Sequence, residues 1–213
     1  MCAFTPIPVG QRIPASPHAV SCSLPSMRHV RGYEEKNPET MRHLTSGYPR
    51  FVVHPFARQL AAHFAVAMPA LQGRTLWLTS SAGMARALLN HLGGGSGAEL
   101  FGRDDVSGVS HPASEEVYSR AKAFLQNVGG FLSSREAEDQ LVRRGVLSAP
   151  SAEETFAGDA AGEIRRVLRH ALPSAGNADL LLANCGMNAI YAAFRASAGL
   201  QAARGRTIWL QLG

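Results

Sequence analysis

Lysine is nearly missing from this sequence of 213 residues: only Lys36 and Lys122 carry an ammonium group, and the rest of the 21 basic side chains are arginine. The formal charge of +5 therefore rests on guanidinium groups. These stand singly or in pairs, such as Arg143-Arg144 and Arg165-Arg166, among Ala and Leu. Without a clustered basic run the pattern argues against a nucleic-acid partner. Cysteine is scarce as well. Cys2, Cys22 and Cys185 are far apart, with neither the C-x-x-C spacing of a zinc site nor the density of a disulfide scaffold, as expected in a reducing cytoplasm. No apolar run approaches the ~20 residues of a bilayer-spanning helix, and the N-terminus lacks a basic segment leading into an apolar stretch. No membrane association and a cytoplasmic location are expected. The 8 histidines form no H-x-x-x-H pair with a third ligand, so no metal site is expected. What the chain does have is a hydrophobic fraction of 46%, with 21 Gly and 12 Pro spread along it. That composition suits one large globular domain, or one domain plus an arm.

Residues 1 to about 50 read as an extended arm, because Pro, Ser and Gly recur too often for a helix and the apolar residues keep no steady period. The first helix is expected at Phe56 to Met68, between Pro55 and Pro69. Thr75 to Ser80 reads as a strand, followed by a turn and a helix over Met84 to Leu92. Gly93 to Gly97 is a flexible loop by composition. Val106 to Ser110 is a short strand, and Ser114 caps a helix running to about Asn127. Ser134 to Arg144 has acids early and arginines late, in favourable order for the helix dipole. A loop over 146–162 precedes a helix from Gly162 to Leu172. Asp179 to Ala183 reads as a buried strand, Met187 to Ser197 as an amphipathic helix and Arg206 to Leu212 as a final strand. Alternation of this kind implies an α/β chain with a parallel sheet wrapped by helices. A final interior-type strand without its covering helix leads to the expectation of an N-terminal piece of a longer protein.

Three places carry chemistry-bearing patterns. In DLLLANCGMNAIYAAF, Cys185-Gly186-Met187 joins an apolar run to a helix start, where main-chain N–H groups lack intrahelical partners and glycine permits close approach. This is an anion seat, and the helix dipole adds roughly half a positive charge. Ser81-Ala82-Gly83-Met84-Ala85 echoes the pattern and reads as a packing turn. In Ser46-Gly47-Tyr48-Pro49-Arg50-Phe51, the proline keeps Tyr48 extended, so a phenol and a guanidinium two apart can both reach a phosphate. The same residues also suit an arm that merely buries Tyr48 and Phe51.

Pro17-His18-Ala19-Val20-Ser21-Cys22-Ser23-Leu24-Pro25, Gly32-Tyr33-Glu34-Glu35, the GYPRF segment and the CGM turn together resemble the N-terminal portion of the pyridoxal-phosphate-dependent enzymes of cysteine and methionine metabolism, in the cystathionine γ-synthase branch. The resemblance spans roughly residues 13 to 213 and is strongest over 17 to 60 and 180 to 200. It implies a pyridoxal-phosphate-dependent transferase fold (type I), with residues 1–55 as the N-terminal arm and 56–213 as part of the large cofactor-binding domain. It implies pyridoxal 5′-phosphate as cofactor, its phosphate held by the amides of Cys185, Gly186 and Met187 and by Tyr48 and Arg50 of a neighbouring subunit. Cys185 and Pro49 replace serines usual in the family. A homodimer or homotetramer follows, with O-acylhomoserine and cysteine as substrates of a γ-replacement. An O-acylhomoserine sulfhydrylase, a γ-lyase, or a noncatalytic fragment or assembly module remain alternatives. The family's Schiff-base lysine lies downstream of the CGM turn, whereas Lys36 and Lys122 precede it. No catalytic residue is expected in this chain, and no activity from it alone.

Overall fold

The computed structural model describes residues 7–44 and 53–210. Contacts divide the chain into two compact units, Met1–Ser151 and Ala152–Gly213.

The first unit begins with two short paired strands, β1 (Arg12–Ile13) and β2 (Ser21–Cys22). Two helices follow within the stretch expected to be extended: α1 (Met27–Glu34), capped by Ser26, and α2 (Pro38–Met41), capped by Asn37. Periodicity missed them because they are short and built on capping. Gly32 is the contact point of the pair, since a Cβ there would lie 2.2 Å from the Thr40 hydroxyl oxygen. The glycine of the GYEE motif is thus explained by helix packing. Next come α3 (Pro55–Ala67), β3 (Arg74–Thr79), α4 (Ala82–Leu92), β4 (Glu99–Arg103), β5 (Val106–Pro112), α5 (Glu115–Val128) and α6 (Ser134–Arg143).

The sheet order is β3-β5-β4, with β5 antiparallel to both neighbours. This corrects the expected parallel sheet. The reason is the connection Asp104-Asp105, whose φ values of 46° and 67° make a two-residue turn of the primed type. Such a turn returns the chain antiparallel along β4, so β5 takes the place beside β3 that a crossover strand would have filled. β3 and β4 therefore run parallel to each other on either side of β5.

Register decides what each face buries. Leu78, Gly108 and Phe101 are neighbours across the three strands, and with Val106 they pack against Leu60 and Phe64 of α3 and Leu141 of α6. The Phe64 and Phe101 rings meet edge to face at 4.9 Å, and the Arg144 guanidinium lies over Phe64 at 4.8 Å. Val109, on the alternate face, is fully buried, as are Leu88 of α4 and Ala121 and Leu125 of α5. Gly108 is obligatory at the centre, because a Cβ would fall 2.2 Å from the Trp77 carbonyl oxygen.

The second unit consists of α7 (Ala160–Ala171), a short 3-10 turn at Asn177–Asp179, and α8 (Gly186–Ala202). The buried strand expected over Asp179–Ala183 is not formed: Leu181 is 89% exposed and Leu182 39%. The described part of the strand expected over Arg206–Leu212, through Leu210, is likewise irregular, with Leu210 88% exposed. A strand must place its N–H and C=O groups on a neighbour. Among the described residues this unit offers none. Trp209 instead sets its ring edge to face with Phe194 of α8 at 4.9 Å. Among the described residues, no helix is long and apolar enough to cross a membrane.

Candidate functional site

Among the described residues, every α-helix of the first unit begins with a side chain that accepts one of its orphan amides, and so does α7. Ser81 accepts from the Met84 amide at 3.1 Å, so the Ser-Ala-Gly-Met echo of the CGM turn has its donor already satisfied. Met84 and Ala85 are buried there, as a packing turn requires. The start of α8 differs. Cys185 occupies the N-cap position in extended geometry (φ −159°, ψ 166°) and makes no side-chain cap hydrogen bond. Its carbonyl accepts from the Ala189 amide at 3.0 Å, which closes the first helical turn. By helix geometry the amides at 186 and 187 point out of the N-terminus without an i−4 partner.

The surroundings of that terminus are open. Cys185 and Gly186 are exposed, Met187 is half-buried, and a Cβ on Gly186 would meet nothing within 4 Å. A bulky anion can approach the main chain here. The helix is 17 residues long, enough for a full dipole at its N-terminus. The chain thus brings Cys185, Gly186 and Met187 together as an uncapped helix start. Tyr48 and Arg50, the other phosphate contacts implied by the sequence, lie outside the described residues.

Neither lysine stands near this turn in sequence. Lys36 has a φ of 57° and rests its ammonium 4.4 Å from the centroid of the Tyr33 ring. Lys122, on α5, is half-buried and lines a cleft of the first unit. Among the described residues no cluster of His, Cys, Asp and Glu could hold a metal ion.

Sequence reasoning missed the polar centre that fixes the PHAVS segment. The His18 side chain is buried. Its Nε2 lies 3.0 Å from the Glu138 carboxylate and its Nδ1 3.0 Å from the Ser134 hydroxyl. The second Glu138 oxygen accepts from the Ser151 amide at 3.0 Å and from the Ser151 hydroxyl. Burial alone pushes the Glu138 carboxyl up, but the Ser151 hydroxyl and amide and the His18 ring outweigh it and hold the group below its ordinary value. Nε2–H of His18 therefore donates to a carboxylate. The His54 ring stacks beside His18 at 6.0 Å. Its Nε2–H donates to the Pro17 carbonyl at 2.8 Å while its Nδ1 accepts from the Phe56 amide at the start of α3. Acceptance at Nδ1 requires the neutral ring, and burial holds the His54 pKa below the ordinary imidazole value. The signal was present in the sequence as histidines 18 and 54 beside prolines, but their partners lie up to 120 residues away.

Comparison with known proteins bears on this picture in part. The chain is 38% identical over 201 residues to L-2-amino-4-chloropent-4-enoate dechlorinase/desaturase of Streptantibioticus cattleyicolor, a match covering 94% of this chain and 40% of that protein. It is 42% identical over 53 residues to cystathionine gamma-synthase of Saccharomyces cerevisiae. A second yeast protein, provisionally named cystathionine gamma-synthase, is 45% identical over a stretch of the same length. Each yeast match covers 24% of this chain and 8% of the relative. The chain thus spans about two fifths of the first relative and far less of the others. No family profile matches the chain, and no solved structure does. These partial matches support a relationship to a pyridoxal-phosphate-dependent enzyme family and stop short of a branch.

Proposed function

We propose that this chain contributes the phosphate seat of a pyridoxal-phosphate-dependent enzyme of sulfur amino-acid metabolism. The observation that carries the reading is the start of α8, where Gly186 and Met187 offer main-chain donors under no side-chain cap, beside an open glycine. A phosphate monoester suits such a terminus without a cation of its own. Tyr48 and Arg50, supplied by the arm of a second copy, would complete the grip, the guanidinium as a bidentate donor. Cys185 contributes its amide and not a hydroxyl. Residues 1–55 then serve as the arm and 56–213 as part of the large domain, in a homodimer or homotetramer of the transferase fold located in the cytoplasm.

Bound there, the cofactor would act as the electron sink for carbanions formed at Cα and Cβ of an amino acid. This chain's own residues bind and orient. No proton transfer is assigned to Lys36 or Lys122, and the residues that carry the reaction belong to other parts of the enzyme. The reaction proposed for the complete protein is replacement at Cγ of an O-acylhomoserine by cysteine. The Cγ–O bond breaks, a Cγ–S bond forms, and the acyl group leaves as a carboxylate with the thiol proton released.

A second reading draws on the 201-residue match. The substrate named for the Streptantibioticus protein carries chloride on C4 of an amino acid, which is the same γ-position. Elimination at Cγ without replacement is therefore the rival chemistry.

Gly186→Val tests the seat in the enzyme that contains the whole domain. The added side chain stands where the phosphate must approach, so the apparent Kd for pyridoxal 5′-phosphate rises at least about tenfold, a loss of ~1.4 kcal/mol. Binding of phosphate-free pyridoxal stays unchanged, and circular dichroism reports the helix. Equal losses for both ligands would refute the assignment.

A further inference from the structure

We propose that the 1–151 unit carries a binding site for a small apolar monocarboxylate, in the cleft along the free edge of β3 between α3 and α5. β3 is an edge strand of its sheet. Its C-terminal half is covered: Phe131 bridges Thr79, and the Leu132 amide donates to the Leu78 carbonyl at 3.2 Å. Upstream of that bridge a cleft of about 380 Å³ opens, at the small end of the ~300–1,000 Å³ typical of small-molecule sites.

Its lining specifies the ligand. Ala57 and Ala61 on the α3 wall are short, and this leaves the space. Trp77 and Tyr118 close another side, their rings 4.8 Å apart and tilted by 44°. The Trp77 indole N–H is already committed to His111 Nε2 at 3.1 Å, so the ring offers apolar surface rather than a donor. Among the described residues two cations line the cleft, Arg58 and Lys122, and no carboxylate does. Arg58 uses one N–H on the Val53 carbonyl at 2.9 Å. Neither cation pairs with a carboxylate among the described residues.

Two cations without a counter-charge at the border of an apolar cavity favour an anion whose body is hydrocarbon. A sugar phosphate would strand its hydroxyls against alanine and leucine. A cationic amphiphile would meet like charge. An aryl or alkyl carboxylate satisfies both the lining and the rim. This site shares no residue with the Gly186–Met187 turn, and it stands or falls independently of the cofactor reading.

Trp77 supplies the readout, with Trp209→Phe as the background that removes the other indole. Titration of the protein with 4-phenylbutyrate is expected to shift Trp77 emission saturably. The matched amine, 4-phenylbutylamine, binds at least about tenfold more weakly. Arg58→Gln and Lys122→Gln each raise the Kd for the carboxylate about twofold to fivefold, the range of an exposed charge pair. Both variants leave binding of 4-phenylbutanol unchanged. Ala61→Trp fills the cleft and abolishes the response. Should that variant not fold, the two charge variants decide alone, since neither side chain belongs to the core. No saturable response, or equal affinity for acid and amine, overturns the proposal, as does an unchanged Kd in the double charge variant.

Discussion

Removing the Glu138 carboxylate should be among the most damaging single changes to the first unit. Glu138 is 5% exposed and His18 6%. Glu138→Ala leaves the His18 Nε2–H and the Ser151 amide without their acceptor in a site from which water is largely excluded. Stranding a buried donor costs about 1–3 kcal/mol, and two donors lose their acceptor, against a total stability of about 5–15 kcal/mol for a domain. At about 2–4 °C per kcal/mol for a unit of this size, the midpoint of thermal unfolding should fall by about 4–24 °C. The assay is a melt followed by Trp77 emission in a Trp209→Phe background. Because Glu138 is held below its ordinary 4.5, its contribution is present above that value and lost as the pH falls through the lowered folded value. The gap between wild type and Glu138→Ala should therefore narrow in acid. A melt within about 2 °C of wild type at neutral pH, or a gap that does not narrow, would refute the assignment of this cluster as the anchor of the PHAVS segment.

His54 should add a second acid-side limb to the pH profile, beginning nearer neutrality. Burial lowers its pKa from 6.5, opposed by the Pro17 hydrogen bond and reinforced by Arg12, His18 and Arg58, so the unfolded chain takes up the proton first. Stability is complete above about pH 6.5 and declines below it, down to the lowered folded value. Denaturant midpoints should thus drop between pH 7.5 and 5.5, and His54→Asn, which retains an N-cap acceptor, should flatten the drop. At the β4–β5 turn, Asp105→Gly should relieve a positive φ that a side chain tolerates poorly, raising stability by about 0.5–1 kcal/mol in the same denaturation assay. An unchanged or lowered midpoint would count against the turn assignment.

Much of the first unit was legible because its signals are local. Pro55 and Pro69 delimit α3, Ser114 caps α5 through the Val117 amide, and the acids and arginines of α6 stand in the order its dipole favours. β4 was hidden because its turn is Asp-Asp and not Asn-Gly, and because Gly102 interrupts an already short run. Strand direction could not be read, since alternation of strand and helix counts elements but does not say which strand inserts between two others. The apolar run at Leu180–Leu182 has the composition of a buried strand, yet composition supplies no neighbour to pair with. At the site, the CGM turn was readable because an N-terminus of a helix is a local object. The His18–Glu138 pair joins positions 120 apart and left no trace in spacing.

The most direct test of the phosphate seat is the backbone amide spectrum of the protein titrated with pyridoxal 5′-phosphate and, separately, with pyridoxal. Selective shifts of the Gly186 and Met187 amides with the phosphate ester alone are the expected result. Silence at both amides, or the same shifts with pyridoxal, would contradict the seat at the start of α8.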